Sequence, residues 1–221
     1  MESAVDFATV GAPRLTFERS YTSNTVFMNG VFSATRLGKG WRSSYDSGAS
    51  YVGASPTTPT LVDIALPDGA EVAFVPNAGQ FSLAYYNTSD NGWHAGRQGF
   101  DARLVRNDAL SLYQLTLTDD TVYTYDYNGR LVSIARRGGY TQTLSYDANG
   151  NNTSVADSLG RTLTFTYSSQ GLLNTLTAPD GSVTQFSYLG RYDPQVFAGV
   201  DPTTIDKSFW ALQTWGLPLP G

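Results

Sequence analysis

Tyr125, Tyr146, Tyr167 and Tyr188 stand 21 residues apart, and two glycine series keep the same step. Gly129, Gly150 and Gly171 each follow a tyrosine by four residues, while Gly139, Gly160 and Gly181 fall between them. A fixed period of about 20–50 residues marks a repeat architecture, in which each unit buries its apolar side against its neighbours. This constrains the fold more than any other feature: whatever one unit folds into, the next must fold into as well.

The stretch from Arg161 to Ser187 shows what that is. Thr162 to Tyr167 alternates polar and apolar side chains, the period of a strand with one buried face. Ser168 to Gly171 is a polar cluster ending in glycine, and Leu172 to Thr177 predicts a second strand. Ala178, Pro179, Asp180 and Gly181 predict a turn, and Ser182 to Tyr188 a further strand. Each unit is therefore two strands and two turns. In the order Tyr-Asp-x-x-Gly, tyrosine closes a strand and lays its ring on the sheet. The aspartate accepts a backbone N–H across the turn, and the glycine takes a conformation that a Cβ penalises. Tyr125, Asp126, Gly129, Arg130, Tyr146, Asp147, Gly150, Gly160, Arg161, Tyr167, Gly171, Gly181 and Tyr188 are accordingly read as repeat-defining structural residues, none of them catalytic.

These residues carry a resemblance. Tyr125-Asp126 with Gly129-Arg130, Tyr146-Asp147 with Gly150, and Asp157 with Gly160-Arg161 resemble the tyrosine-aspartate repeat of bacterial Rhs proteins. The same repeat occurs in the C subunits of insecticidal Tc toxins and in teneurins. The match covers Thr121 to Gly190; its third copy departs, with Ser168 for aspartate and Leu172 for arginine, and the fourth stops at Gly190. A second stretch is independent of the period. Leu15, Phe17, Arg19, Tyr21 and Ser23 alternate along one strand, a turn follows at Asn29-Gly30, and then come Gly38, Gly40, Trp41, Ser44 and Tyr45. It resembles the segment that precedes the first repeats of Rhs proteins, with Trp41 as a further structural anchor.

Between these stretches the chain continues to read as short strands. Leu61–Ala65, Glu71–Val75, Phe81–Tyr86, 104–106, 110–118 and 121–125 are expected strands, and Pro67-Asp68-Gly69 is a turn like Pro179-Asp180-Gly181. Residues 47–60 and 88–99 read as loops. Ile205 to Trp215 predicts one short helix. The fold class is all-β: repeated antiparallel hairpins forming a curved, spiralling sheet, a partial shell. Residues 1–120 are the N-terminal β region, 121–190 the repeats and 191–221 a non-repeat segment.

Composition excludes several functions. With 15% charged residues against roughly 25% in an ordinary globular protein, and 41% hydrophobic, the chain is not a disordered polyelectrolyte. A net charge of −5 is no footprint for nucleic acid. There is no cysteine, so no disulfide or thiolate metal site can form, and His94 is the one histidine. A zinc site or a Ser-His-Asp triad has nothing else to draw on, and no Gly-x-Ser-x-Gly elbow occurs. Gly38-Lys39-Gly40 lacks the rest of a phosphate-binding loop. No cofactor and no membrane span are predicted, and the first residues lack the basic and apolar regions of a signal peptide.

Asp193-Pro194 and Asp201-Pro202 loosely echo the run that closes Rhs cores, where paired aspartates cleave the chain in some relatives. The glycine-rich remainder of that run is missing, so both aspartates are read as turn residues. The resemblance implies a structural element of an Rhs-type toxin, exported by a dedicated machine, that encloses or presents cargo. About a dozen strands are too few to close a large cavity. The expected partners are therefore a protein, further copies of the chain through open sheet edges, or a toxin cargo. The alternatives are a carbohydrate- or cell-surface-binding adhesion module and a self-cleaving aspartate pair.

Overall fold

The computed structural model describes residues 2–21, 36–38, 40–87, 89, 92–95, 101–190 and 210–213. All regular structure among them is β-strand, in several antiparallel sheets and no closed barrel. The chain divides into two compact units, one formed by Met1–Asp46 with Ser145–Gly221 and the other by Ser47–Leu144.

In the first unit β1 (Glu2–Ala8), β2 (Thr16–Tyr21) and β3 (Trp41–Ser43) form a three-stranded sheet in that order. The second unit opens with β4 (Gly48–Gly53), β5 (Pro59–Ala65), β6 (Glu71–Asn77), β7 (Gln80–Asn87) and β8 (Gly92–Ala95), a five-stranded meander. It continues with β9 (Ala102–Asn107), β10 (Leu112–Leu117), β11 (Val122–Asp126), β12 (Leu131–Ala135) and β13 (Thr141–Tyr146), again paired in sequence order. The first unit resumes with β14 (Asn152–Asp157), β15 (Thr162–Tyr167), β16 (Leu173–Thr177) and β17 (Val183–Gln185), followed by the pair β18 (Ser187–Gly190) and β19 (Trp210–Gln213).

Three expectations change. The stretch 47–60 holds β4, whose small residues Gly48, Ala49 and Ser50 conceal a strand that packs closely, with Ala49 buried. The stretch 88–99 holds β8, where His94 pairs with Tyr85 along the sheet edge. Trp210–Gln213 is a strand, not part of a helix, because its backbone pairs antiparallel with Ser187–Gly190. The rest of the helix expected over 205–215, the turn at Asn29-Gly30, and Asp193 and Asp201 lie outside the described residues.

Each unit buries its own core. In the first, Phe17 lies 5.6 Å from Phe165, 6.1 Å from Phe186 and 6.3 Å from Tyr45, ring centre to ring centre. The N-terminal sheet thereby covers the apolar side of the hairpins carrying Leu163, Phe165, Leu173 and Leu176, all buried. In the second, Val62, Ile64, Phe74, Tyr113, Leu115, Tyr125 and Leu131 are sealed from solvent. Removing that much apolar surface from water is the main source of stability in a chain without disulfides.

Candidate functional site

The recurring chemical feature is the hairpin turn, and its geometry follows from residues three and four apart. At Asp126 the aspartate N–H donates to the Arg130 carbonyl (2.9 Å) and the Gly129 N–H donates to the Asp126 carbonyl (2.9 Å). Gly129 sits at φ +80°, so a type I turn closes through a left-handed residue. The carboxylate locks it: Oδ1 accepts the N–H groups of Asn128 (3.0 Å) and Arg130 (2.9 Å), and Oδ2 accepts Arg130 Nε (2.8 Å).

Asp147 repeats this with Asn149, Asn151 and the Asn151 side-chain amide, at 2.9, 2.8 and 2.8 Å. The bonds from Asn151 hold the Asp147 carboxyl below the usual carboxylate range. Asp157 repeats it with Leu159, Arg161 and Arg161 Nε, at 3.0, 2.9 and 2.7 Å. Ser168 keeps the two backbone bonds, but its hydroxyl reaches only the Leu172 N–H, at 3.3 Å. Asp180 bonds the Ser182 N–H (3.0 Å) and hydroxyl (2.7 Å). Each 21-residue unit therefore uses one turn design twice, at opposite ends of its strands. Asp157, Gly160 and Arg161 are the counterpart of Asp126, Gly129 and Arg130 in the opposite phase.

The tyrosines also recur in place. Tyr125 pairs with Leu131, and Tyr167 with Leu173, each beside a register shift that falls just before the tyrosine. Tyr167 Oη donates to the Asn152 carbonyl (2.7 Å) and Tyr188 Oη to the Leu173 carbonyl (2.8 Å), one hydroxyl per unit reaching back across the sheet. Burial pushes both hydroxyls well above the ordinary tyrosine range. Tyr146 ends β13, half-buried. Tyr125 is fully buried and bonds the Ser47 hydroxyl (2.7 Å), which donates to the Ala65 carbonyl (2.8 Å). Tyr188 departs from the series: it lies inside β18, because the last repeat strand breaks at Phe186 and re-pairs with β19. Gly171 and Gly181, at φ +70° and +85°, close the turns of the last hairpins.

Trp41 opens β3 and is 8% exposed. Its ring takes the guanidinium of buried Arg19, which forms an ion pair with Asp6. Arg161 does more than close a turn. Its Nη1 donates to Thr9 Oγ1 and one Nη2 bond reaches the Pro13 carbonyl, both at 2.9 Å, so the second turn series ties the N-terminal segment down. The sequence gives no sign of that partner. It lies about 150 residues away.

No group of histidine, cysteine, aspartate and glutamate able to hold a metal occurs among the described residues. None of the described residues forms a helix long and apolar enough to cross a membrane.

Paired strands, one turn design and a recurring tyrosine-aspartate pair define an all-β repeat architecture. Over residues 146–183 the chain is similar to the RHS Repeat family, whose model matches there, and the Domain of unknown function (DUF6531) model matches residues 1–74. No curated protein matches the chain.

Proposed function

We propose that the chain is a wall element of an Rhs-type protein, enclosing or presenting a cargo polypeptide and associating through its open sheet edges. The observation that supports this is how the turn aspartates are used. Both carboxylate oxygens of Asp126, Asp147 and Asp157 are engaged inside their own turns, which leaves no free carboxylate pair for acid–base work there. The side chains best suited to chemistry serve as fasteners. Under this reading residues 1–120 form the N-terminal part of the wall, 121–190 its repeats and 191–221 the segment leaving it. The setting is extracellular, reached by a dedicated export route. Negative-stain microscopy and light scattering of the purified chain test the proposal. Edge-joined assemblies of even wall thickness are expected, whereas a compact monomer at high concentration that binds glycans specifically would favour an adhesion module.

A further inference from the structure

A cleft of about 510 Å³ lies in the second unit, inside the range of about 300–1,000 Å³ typical of ligand sites. Its floor is the strand β9. Arg103, Leu104, Val105 and Arg106 are consecutive, yet all four line it. Successive side chains of a strand point to opposite faces, so a cavity touching four in a row runs along the strand's edge, the side that pairs with no other strand in its sheet. β9 pairs with β10 on its other side and ends its sheet. Facing it are Thr57 and Thr58 from the β4–β5 connection, with Gln80 and Phe81 at the start of β7.

The charges in the cleft differ in availability. Arg106 is spent: it forms an ion pair with Asp108 (2.7 Å) and donates to the Thr57 carbonyl. Asp108 is engaged a second time by the Tyr127 hydroxyl. The Arg103 side chain is exposed and makes no hydrogen bond or ion pair among the described residues. An uncommitted guanidinium on an open strand edge selects a carboxylate on an extended chain: the edge supplies main-chain bonds and the arginine a paired anion. We infer that the β9 edge binds an extended acidic peptide segment as an added strand, with a carboxylate on Arg103. This does not rest on the wall reading. Assembly can persist with the cleft blocked, and the cleft can bind peptide in a chain that does not assemble.

The probe is a fluorescein-labelled nonapeptide alternating glutamate with valine, titrated into the full chain by anisotropy. Saturable binding is expected. It weakens at least tenfold in Arg103→Glu and stays within twofold in Arg137→Glu, whose residue is exposed on a turn of the same unit. A lysine-for-glutamate peptide binds at least tenfold more weakly. A peptide N-methylated at alternate residues, which cannot donate to the edge, loses binding. Circular dichroism of both variants checks that the fold is kept. The inference is overturned by no saturable binding, by undiminished binding in Arg103→Glu, or by equal binding of the N-methylated peptide. It is also overturned if a glucuronate oligosaccharide binds through Arg103 while the peptide does not, since the cleft would then be an acidic-sugar site.

Discussion

The guanidinium carbon of Arg19 lies 5.3 Å from the centre of the Trp41 ring. The Phe186 ring stands 5.5 Å from the same carbon, and Asp6 holds the charge through two bonds. One cation thus joins β1, β2, β3 and the strand end of the last repeat in the first unit. Neutralising Asp6 leaves a buried charge without its anion, a change that costs about 3–5 kcal/mol. Asp6→Asn and Trp41→Ala should each lower stability on that scale, measured by urea unfolding followed by tryptophan fluorescence or circular dichroism. A loss below about 1 kcal/mol in Asp6→Asn would show that the pair is solvated.

Glycines at equivalent places in the two turn series should differ in tolerance. A Cβ on Gly129 would come within 2.0 Å of the Ala49 carbonyl oxygen, on top of the positive φ. At Gly160 the φ is also +80°, but nothing lies within 4 Å. Gly160→Ala should cost roughly 1–2 kcal/mol from backbone strain alone. Gly129→Ala should cost clearly more, or expel β4 from its place. Comparable unfolding midpoints for the two would contradict the close approach of Ala49.

The Asp157 turn predicts a non-additive pair. Asp157→Ala removes the anion facing Arg161 and two backbone acceptor bonds, and should destabilise by about 2–4 kcal/mol. Arg161→Ala should cost less than this once Asp157 is already gone, as a double-mutant cycle would read. At the equivalent turn in the other phase, Ser168→Asp should gain about 0.5–1 kcal/mol, because a carboxylate reaches the two N–H groups that the hydroxyl cannot both serve. A loss of stability in Ser168→Asp would show that the third turn differs in shape from the first two.

Asp63 sets a pH dependence. It is 6% exposed on β5, and its Oδ1 finds no donor among the described residues. Burial, and then the charge of Glu71, push its carboxyl up to about 7, against the bond from Ile64. The folded state keeps a proton that the unfolded chain, with an ordinary carboxyl, releases near pH 4. Stability from this group is therefore full below that pH and falls as pH rises towards 7, by an amount on the order of a few kcal/mol. Asp63→Asn should flatten the fall between pH 5 and 8, measured as the thermal midpoint across that range. A wild-type midpoint that rises from pH 5 to 7, or a fall that persists unchanged in Asp63→Asn, would contradict the assignment.

The repeat was legible in the chain because its physics is short-range. Every bond of the Asp126 turn closes between residues at most four apart, so aspartate, glycine and arginine at fixed spacing announce it without knowledge of the rest. The alternation of Thr162 to Tyr167 likewise states which face is apolar. Strands without a pattern stayed hidden. β4 is made of small residues whose fit depends on Gly129, and Trp210–Gln213 carries no alternation of its own and is strand only because Ser187–Gly190 lies beside it. The sequence alone determined the period, the turn type and the all-β class, since those are settled within one hairpin. Only the tertiary structure decided which arginines are buried, which glycine cannot gain a Cβ and which sheet edge stays open. Those depend on contacts between residues tens to more than a hundred positions apart, and no local pattern encodes them.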